Sequence, residues 1–149
     1  MIINALKILF DRDIILVQKE IGLYRDEASI WRVDGAISNS AGNLCLHLVG
    51  NLNTYIGNAL GGTKYVRQRD LEFSAKNVPR EQLLQMLEQT RTTVQEALAA
   101  TAEERLPELF PIIIREEETA TGYTLIHLAM HLNYHLGQIN YHRRLLDKQ

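Results

Sequence analysis

From Leu6 onward, apolar side chains return at Leu6, Phe10, Ile14, Val17, Ile21 and Tyr24. Steps of three and four residues place them on one face of a helix. From Asp26 to Asn39 the period is lost, Gly35 intervenes, and Ser38 and Ser40 offer hydroxyls able to cap a following helix. A second helix is therefore expected to begin near Ser40. Its stripe runs Leu44, Leu48, Leu52, Tyr55, Ile56 and Ala59, and Gly61-Gly62 supplies the backbone freedom that ends helices.

Residues 62–78 carry charge without helical periodicity and read as a connector. Pro79 favours a first-turn position, and Leu83, Leu87, Thr90, Val94 and Leu98 form the third stripe. Thr101-Ala-Glu-Glu104 resembles a capping box for a short helix, Pro107 and Pro111 would interrupt anything longer, and Ile112–Ile114 fits a short extended piece. From Thr124 to about Leu146, Leu, Ile, His and Tyr recur with Gly137 as the one breaker, which predicts a long last helix.

Four amphipathic helices of ~20 residues predict an all-α fold, a four-helix bundle. At ~3.3 Å per residue the connector reaches back along a ~30 Å helix, so helices two and three are expected to lie parallel, joined by one long crossover. With 149 residues, 46% hydrophobic and 23% charged, residues 1–149 read as a single helical-bundle domain.

Sixteen Lys and Arg against eighteen Asp and Glu leave a formal charge of -2, so there is no electrostatic surplus for phosphate backbones or anionic membranes, and nucleic acid is not an expected partner. A lone cysteine, Cys45, rules out an internal disulfide. Lys7, Asp11, Arg12 and Asp13 break up the apolar N-terminal stretch, and no segment reaches the ~20 apolar residues that span a bilayer. An intracellular, cytoplasmic protein without membrane partners is the expectation.

Chemistry enters through the histidines. Of His47, His127, His131, His135 and His142, four fall in the last helix. With Leu128 at the centre of its buried stripe, His131, His135 and His142 lie within ~60° of that centre, whereas His127 sits ~100° away at its edge. His142 follows His135 by seven residues, ~10 Å along the axis at ~1.5 Å per residue, too far to share an ion with both His131 and His135. The i, i+4 pair His131 and His135 can converge on one ion, and His47, bordering the apolar face of helix two, is the one histidine available from elsewhere. Asn51 and Gln138 are placed to support the ligands from behind, and His127, at the stripe's edge, reads either as a third such support or as a partly solvated surface ring. The same rings could instead be core histidines satisfied by hydrogen bonds, and spacing alone leaves both readings open.

The segments Asn43-Leu-Cys-Leu-His47-Leu-Val-Gly-Asn51 and His127-Leu-Ala-Met-His131-Leu-Asn-Tyr-His135-Leu-Gly-Gln138-Ile139 resemble the metal-binding helices of the DinB-like superfamily of four-helix-bundle metalloproteins. That resemblance implies one ligand on the second helix and a His-x-x-x-His pair on the last, which fall on His47, His131 and His135. It also implies a divalent ion, zinc or nickel, with water in the remaining positions. The better understood members include thiol-dependent transferases.

Three neutral histidines leave a coordination position for a water or a thiolate, which suits either hydrolysis or S-transfer to or from a small thiol. Leu132 follows His131 where a zinc protease would carry glutamate, so protease chemistry is disfavoured. Glu116, Glu117 and Glu118 could supply a carboxylate, although such runs more often form a solvated surface. Cys45 points ~200° around its helix from His47 and reads as packing. Trp31 reads as an aromatic plug over the core or a pocket wall. Arg67 and Arg69 could meet an anionic substrate. The expected function is a metal-dependent hydrolase or thiol transferase acting on a small molecule. The alternative is a non-catalytic, metal-stabilised homodimer, since small bundles often pair through a leftover apolar face.

Overall fold

The first stripe folds as α1 (Ile2–Leu23) in a computed structural model that describes residues 1–147. Its six stripe residues are all buried. The helix begins earlier than the stripe because Glu103, from the far end of the chain, accepts hydrogen bonds from the free N–H groups of Ile2 (2.6 Å) and Ile3 (3.0 Å). Glu103 thus caps α1, and the capping box expected of Thr101 and Glu104 does not form, because the Thr101 hydroxyl donates to the Ala97 carbonyl at 2.8 Å. The short helix expected there is one 3₁₀ turn, Glu103–Arg105.

Ser40 caps α2 (Ala41–Leu52) by accepting from the Asn43 N–H. The helix continues through a π turn, Asn53–Asn58, and a last turn, Ala59–Gly61, and stops where Gly62 takes φ 67°. All twelve residues of α2 are buried, more than an amphipathic stripe requires. The reason lies in the connector, which contains a helix that its sequence period does not reveal: α3 (Arg69–Ser74). The Asn43 amide donates to the carbonyls of Glu72 (3.0 Å) and Ala75 (2.9 Å) and pins α3 across the outer face of α2.

Pro79 precedes α4 (Arg80–Ala99), and the last helix, α5 (Thr121–Leu146), starts three residues before the expected Thr124. Ile112–Ile114 form no strand. Among the described residues there are only isolated bridges, one of them Ile114 to Glu117.

Side-chain links give the helix directions. Asn133 donates to Asp13 (3.0 Å) and Asn140 to Glu20 (2.8 Å), seven residues on in both helices, so α1 and α5 run parallel. Gln18 donates to Glu88 and Arg91 to Asp11, so α4 runs antiparallel to α1. Asn53 donates to Thr90, and Gly61 lies against Ala97, so α2 and α4 run parallel. That geometry makes residues 62–79 a crossover along the length of the helices.

His142 stays apart from the other histidines, as its spacing requires. It is buried, with Nε2 donating to the Arg32 carbonyl (2.8 Å) and Nδ1 accepting from the Tyr24 hydroxyl (2.6 Å). Cys45 is fully buried, which pushes its thiol up to about 12. Trp31 covers the start of α2, where a Cβ on Gly42 would come within 2.7 Å of the indole ring. No described helix is long and apolar enough to cross a membrane.

Two alanine substitutions separate packing from propensity. Gly42→Ala is expected to destabilise by about 1–3 kcal/mol through overpacking against Trp31. Gly137→Ala on α5, with nothing within 4 Å of the new methyl, is expected to stabilise by up to about 1 kcal/mol through helix propensity. Urea denaturation of both variants checks the pair.

Candidate metal centre

His131 and His135 stand one turn apart on α5, and α2 runs antiparallel beside them carrying His47. The His131 Nε2 lies 3.2 Å from the His47 Nε2 and 3.1 Å from the His135 Nε2. All three ligand atoms fall within 4.8 Å of one another. Two nitrogens at ~2.0–2.1 Å from one tetrahedral ion stand ~3.3 Å apart, so the spacing is close to that of a shared coordination sphere.

Hydrogen bonds behind the rings decide which nitrogens face inward. A neutral imidazole carries one N–H. His47 Nδ1 donates to Glu72 Oε1 (3.0 Å), and His135 Nδ1 donates to Gln138 Oε1 (2.7 Å). Both therefore present a bare Nε2 lone pair to His131. His131 could satisfy them only by sharing a single Nε2–H between two acceptors, because its Nδ1 is buried without a partner among the described residues. A cation at the centre satisfies every inward lone pair at once, so the donor set fits a divalent metal.

Burial favours the neutral, ligating form of all three rings. Desolvation is the largest cause in each case. It lowers His47 against the opposing pull of Glu72, lowers His135 against Gln138, and, with the fields of His135 and His47, takes His131 down to about 3.

Gln138 stands where the sequence places it, behind His135. Asn51 makes no hydrogen bond to an imidazole among the described residues: its Oδ1 is buried without a partner there, and the residue lines a cavity beside the triad. His127 is half-buried in the wall of that cavity and makes no hydrogen bond to the three rings among the described residues. Glu116, Glu117 and Glu118 are exposed and absent from that wall, whereas their neighbour Arg115 is part of it.

Sequence reasoning missed Glu72. It is 5% exposed, and Arg67 grips both its oxygens, Nε to Oε2 at 2.8 Å and Nη2 to Oε1 at 2.9 Å. The carboxylate reaches His47 because Gly50 has no side chain; a Cβ there would collide with it. Gly50, on the same helix face three residues after His47, was the available signal that another segment passes close by.

An all-helical chain with three converging imidazole nitrogens is thus defined by its fold and its site together. Residues 3–149 match the model of a family described as "Protein of unknown function (DUF1572)", and the chain belongs to that family. No curated protein matches it.

Two measurements follow from this geometry. Between pH ~6.5 and ~3 the unfolded chain takes up a proton that the folded His131 refuses, so the stability of metal-free protein should be level above ~6.5 and fall as pH drops through that window. His47, His135 and His142 add in the same direction. Urea midpoints across that range, with NMR titration of the His131 ring, check this; a His131 ring titrating near ~6.5 contradicts it. Separately, Glu72→Gln and Gly50→Ala should each weaken the affinity of the three imidazoles for an added divalent ion by about 10–100-fold, read by competition with a chromophoric chelator, because both disturb the partner behind His47.

Proposed function

We propose that this chain is a DinB-like metalloprotein, a four-helix bundle of α1, α2, α4 and α5 with one crossover. In this reading His47, His131 and His135 hold a divalent ion, zinc or nickel, and the site acts on a small molecule as a thiol-dependent S-transferase or a hydrolase. The observation that carries the reading is the convergence of three Nε2 atoms with two of the rings held from behind. When bound, such an ion supplies Lewis acidity toward a water or a thiol.

The chain's own groups divide the remaining work. Glu72 and Gln138 hold the tautomers of His47 and His135, and Arg67 balances the Glu72 charge. The cavity beside the triad admits a small molecule. Its wall has no carboxylate among the described residues, which favours S-transfer over base-assisted hydrolysis; His127 is the wall's imidazole outside the triad. A low-molecular-weight thiol in the cytoplasm is the co-substrate this reading calls for.

One observation favours the alternative of a metal-stabilised homodimer. Ile2, Leu9, Leu16 and Leu23 are exposed on α1 at seven-residue intervals, and Met130, Tyr134, Tyr141 and Leu145 are exposed on α5. Repeating apolar positions of this kind suit a helical seam with a second copy.

Metal analysis of protein purified without a histidine tag tests the proposal, with one ion per chain expected and its loss expected in His131→Ala. Wild-type protein that binds no divalent ion sinks it. If chelation dissociates or unfolds the protein while the loaded form turns over neither thiol nor ester substrates, the structural dimer is the correct reading.

A further inference from the structure

Beyond the imidazoles, the cavity beside the triad has a volume of about 340 Å³, in the range of small-ligand sites. Its wall is strongly cationic. Arg67, Arg69 and Arg115 all line it, and among the described residues no acid does. Arg67 is committed to Glu72, but neither Arg69 nor Arg115 forms an ion pair among the described residues. Arg69 lies over the Phe73 ring at 6.0 Å, which leaves its hydrogen-bonding edges available.

Arg115 is exposed and sits on an unusual turn. It and Glu116 occupy consecutive left-handed positions, φ 57° and 64°, between the bridged residues Ile114 and Glu117. Non-glycine residues rarely adopt that conformation, and here it places Arg115 in the wall of the same cavity. The charge of Arg115 is felt at His131.

A second, independent observation comes from α2. Asn51 is 7% exposed, and its Oδ1 has no hydrogen-bond partner among the described residues, although Asn51 lines this cavity. Buried polar atoms without partners are uncommon in folded proteins, and one facing a cavity is satisfied by what enters it.

We propose that this cavity binds a small organic anion, with Arg69 and Arg115 holding its carboxylate or phosphate group and Asn51 Oδ1 accepting a hydrogen bond from a hydroxyl or N–H donor on its body. The anion's remainder then lies beside the three imidazole nitrogens. Guanidinium groups suit both carboxylate and phosphate, pairing with two oxygens at once. The inference names the substrate class of the metal site proposed above and rests on that reading for chemistry, while anion binding itself requires only the arginines.

Calorimetric titration of the full chain with succinate and with inorganic phosphate, in metal-free and zinc-loaded forms, tests it. Arg115→Gly is the informative variant, because glycine accepts the positive φ and the turn keeps its shape. Arg115→Gly and Arg69→Gln are each expected to weaken binding by ~10-fold or more, and added salt to weaken wild-type binding further. Preference for succinate identifies a carboxylate substrate and preference for phosphate a phosphorylated one; either supports the proposal. Absence of binding of both probes at millimolar concentration, or binding unchanged in both variants, overturns it. Wild-type protein that binds anions but no zinc overturns the metal reading alone, and protein that binds zinc but no anion overturns this inference alone.

Discussion

The rest of the structure depends on one buried carboxylate. Glu72 lies between Arg67 and His47, and an ion taken out of water at that depth costs several kcal/mol unless its charge and lone pairs are answered. Arg67 answers the charge with two hydrogen bonds, and His47 takes up one of the oxygens. To bring these groups together α3 must lie close over α2, which only a glycine at position 50 allows, and the Asn43 amide must hold α3 there. The burial of the outer face of α2 and the orientation of the His47 ring both follow from that contact.

The site divides its labour between rigid and irregular parts of the chain. Helices α2 and α5 carry the three imidazoles, and side chains on helices α3 and α5 hold two of them from behind. The cationic wall has another origin: Arg67 precedes α3, Arg69 opens it, and Arg115 sits on a turn before α5. Scaffolds that place ligands on helices and selectivity on connectors can keep a metal geometry constant while the wall around it changes.

Much of this was legible residue by residue. The stripe of α1, the Ser40 cap, the Gly62 stop and the exclusion of His142 from the triad all rest on local periodicity or local hydrogen bonding. Asn51 and Glu72 show where that reasoning runs out. Asn51 sits at a plausible angle for supporting a ring, yet the partner behind His47 comes from 25 residues away in a segment with no helical period. A six-residue helix is too short to display one, and α3 exists because Asn43 and the surface of α2 hold it. The acidic run at 116–118 drew attention by composition, while the turn it forms sets its neighbour Arg115 in the cavity wall.

The sequence by itself determined the four main helices, their inward faces and the three histidines that can meet, because apolar period and imidazole spacing are properties of a single helix. Only the tertiary structure decided which nitrogen each ring turns inward, which carboxylate fixes His47, and which arginines share a cavity with the triad. Those outcomes depend on desolvation and on contacts between segments far apart in the chain, and no local pattern encodes the distance between them.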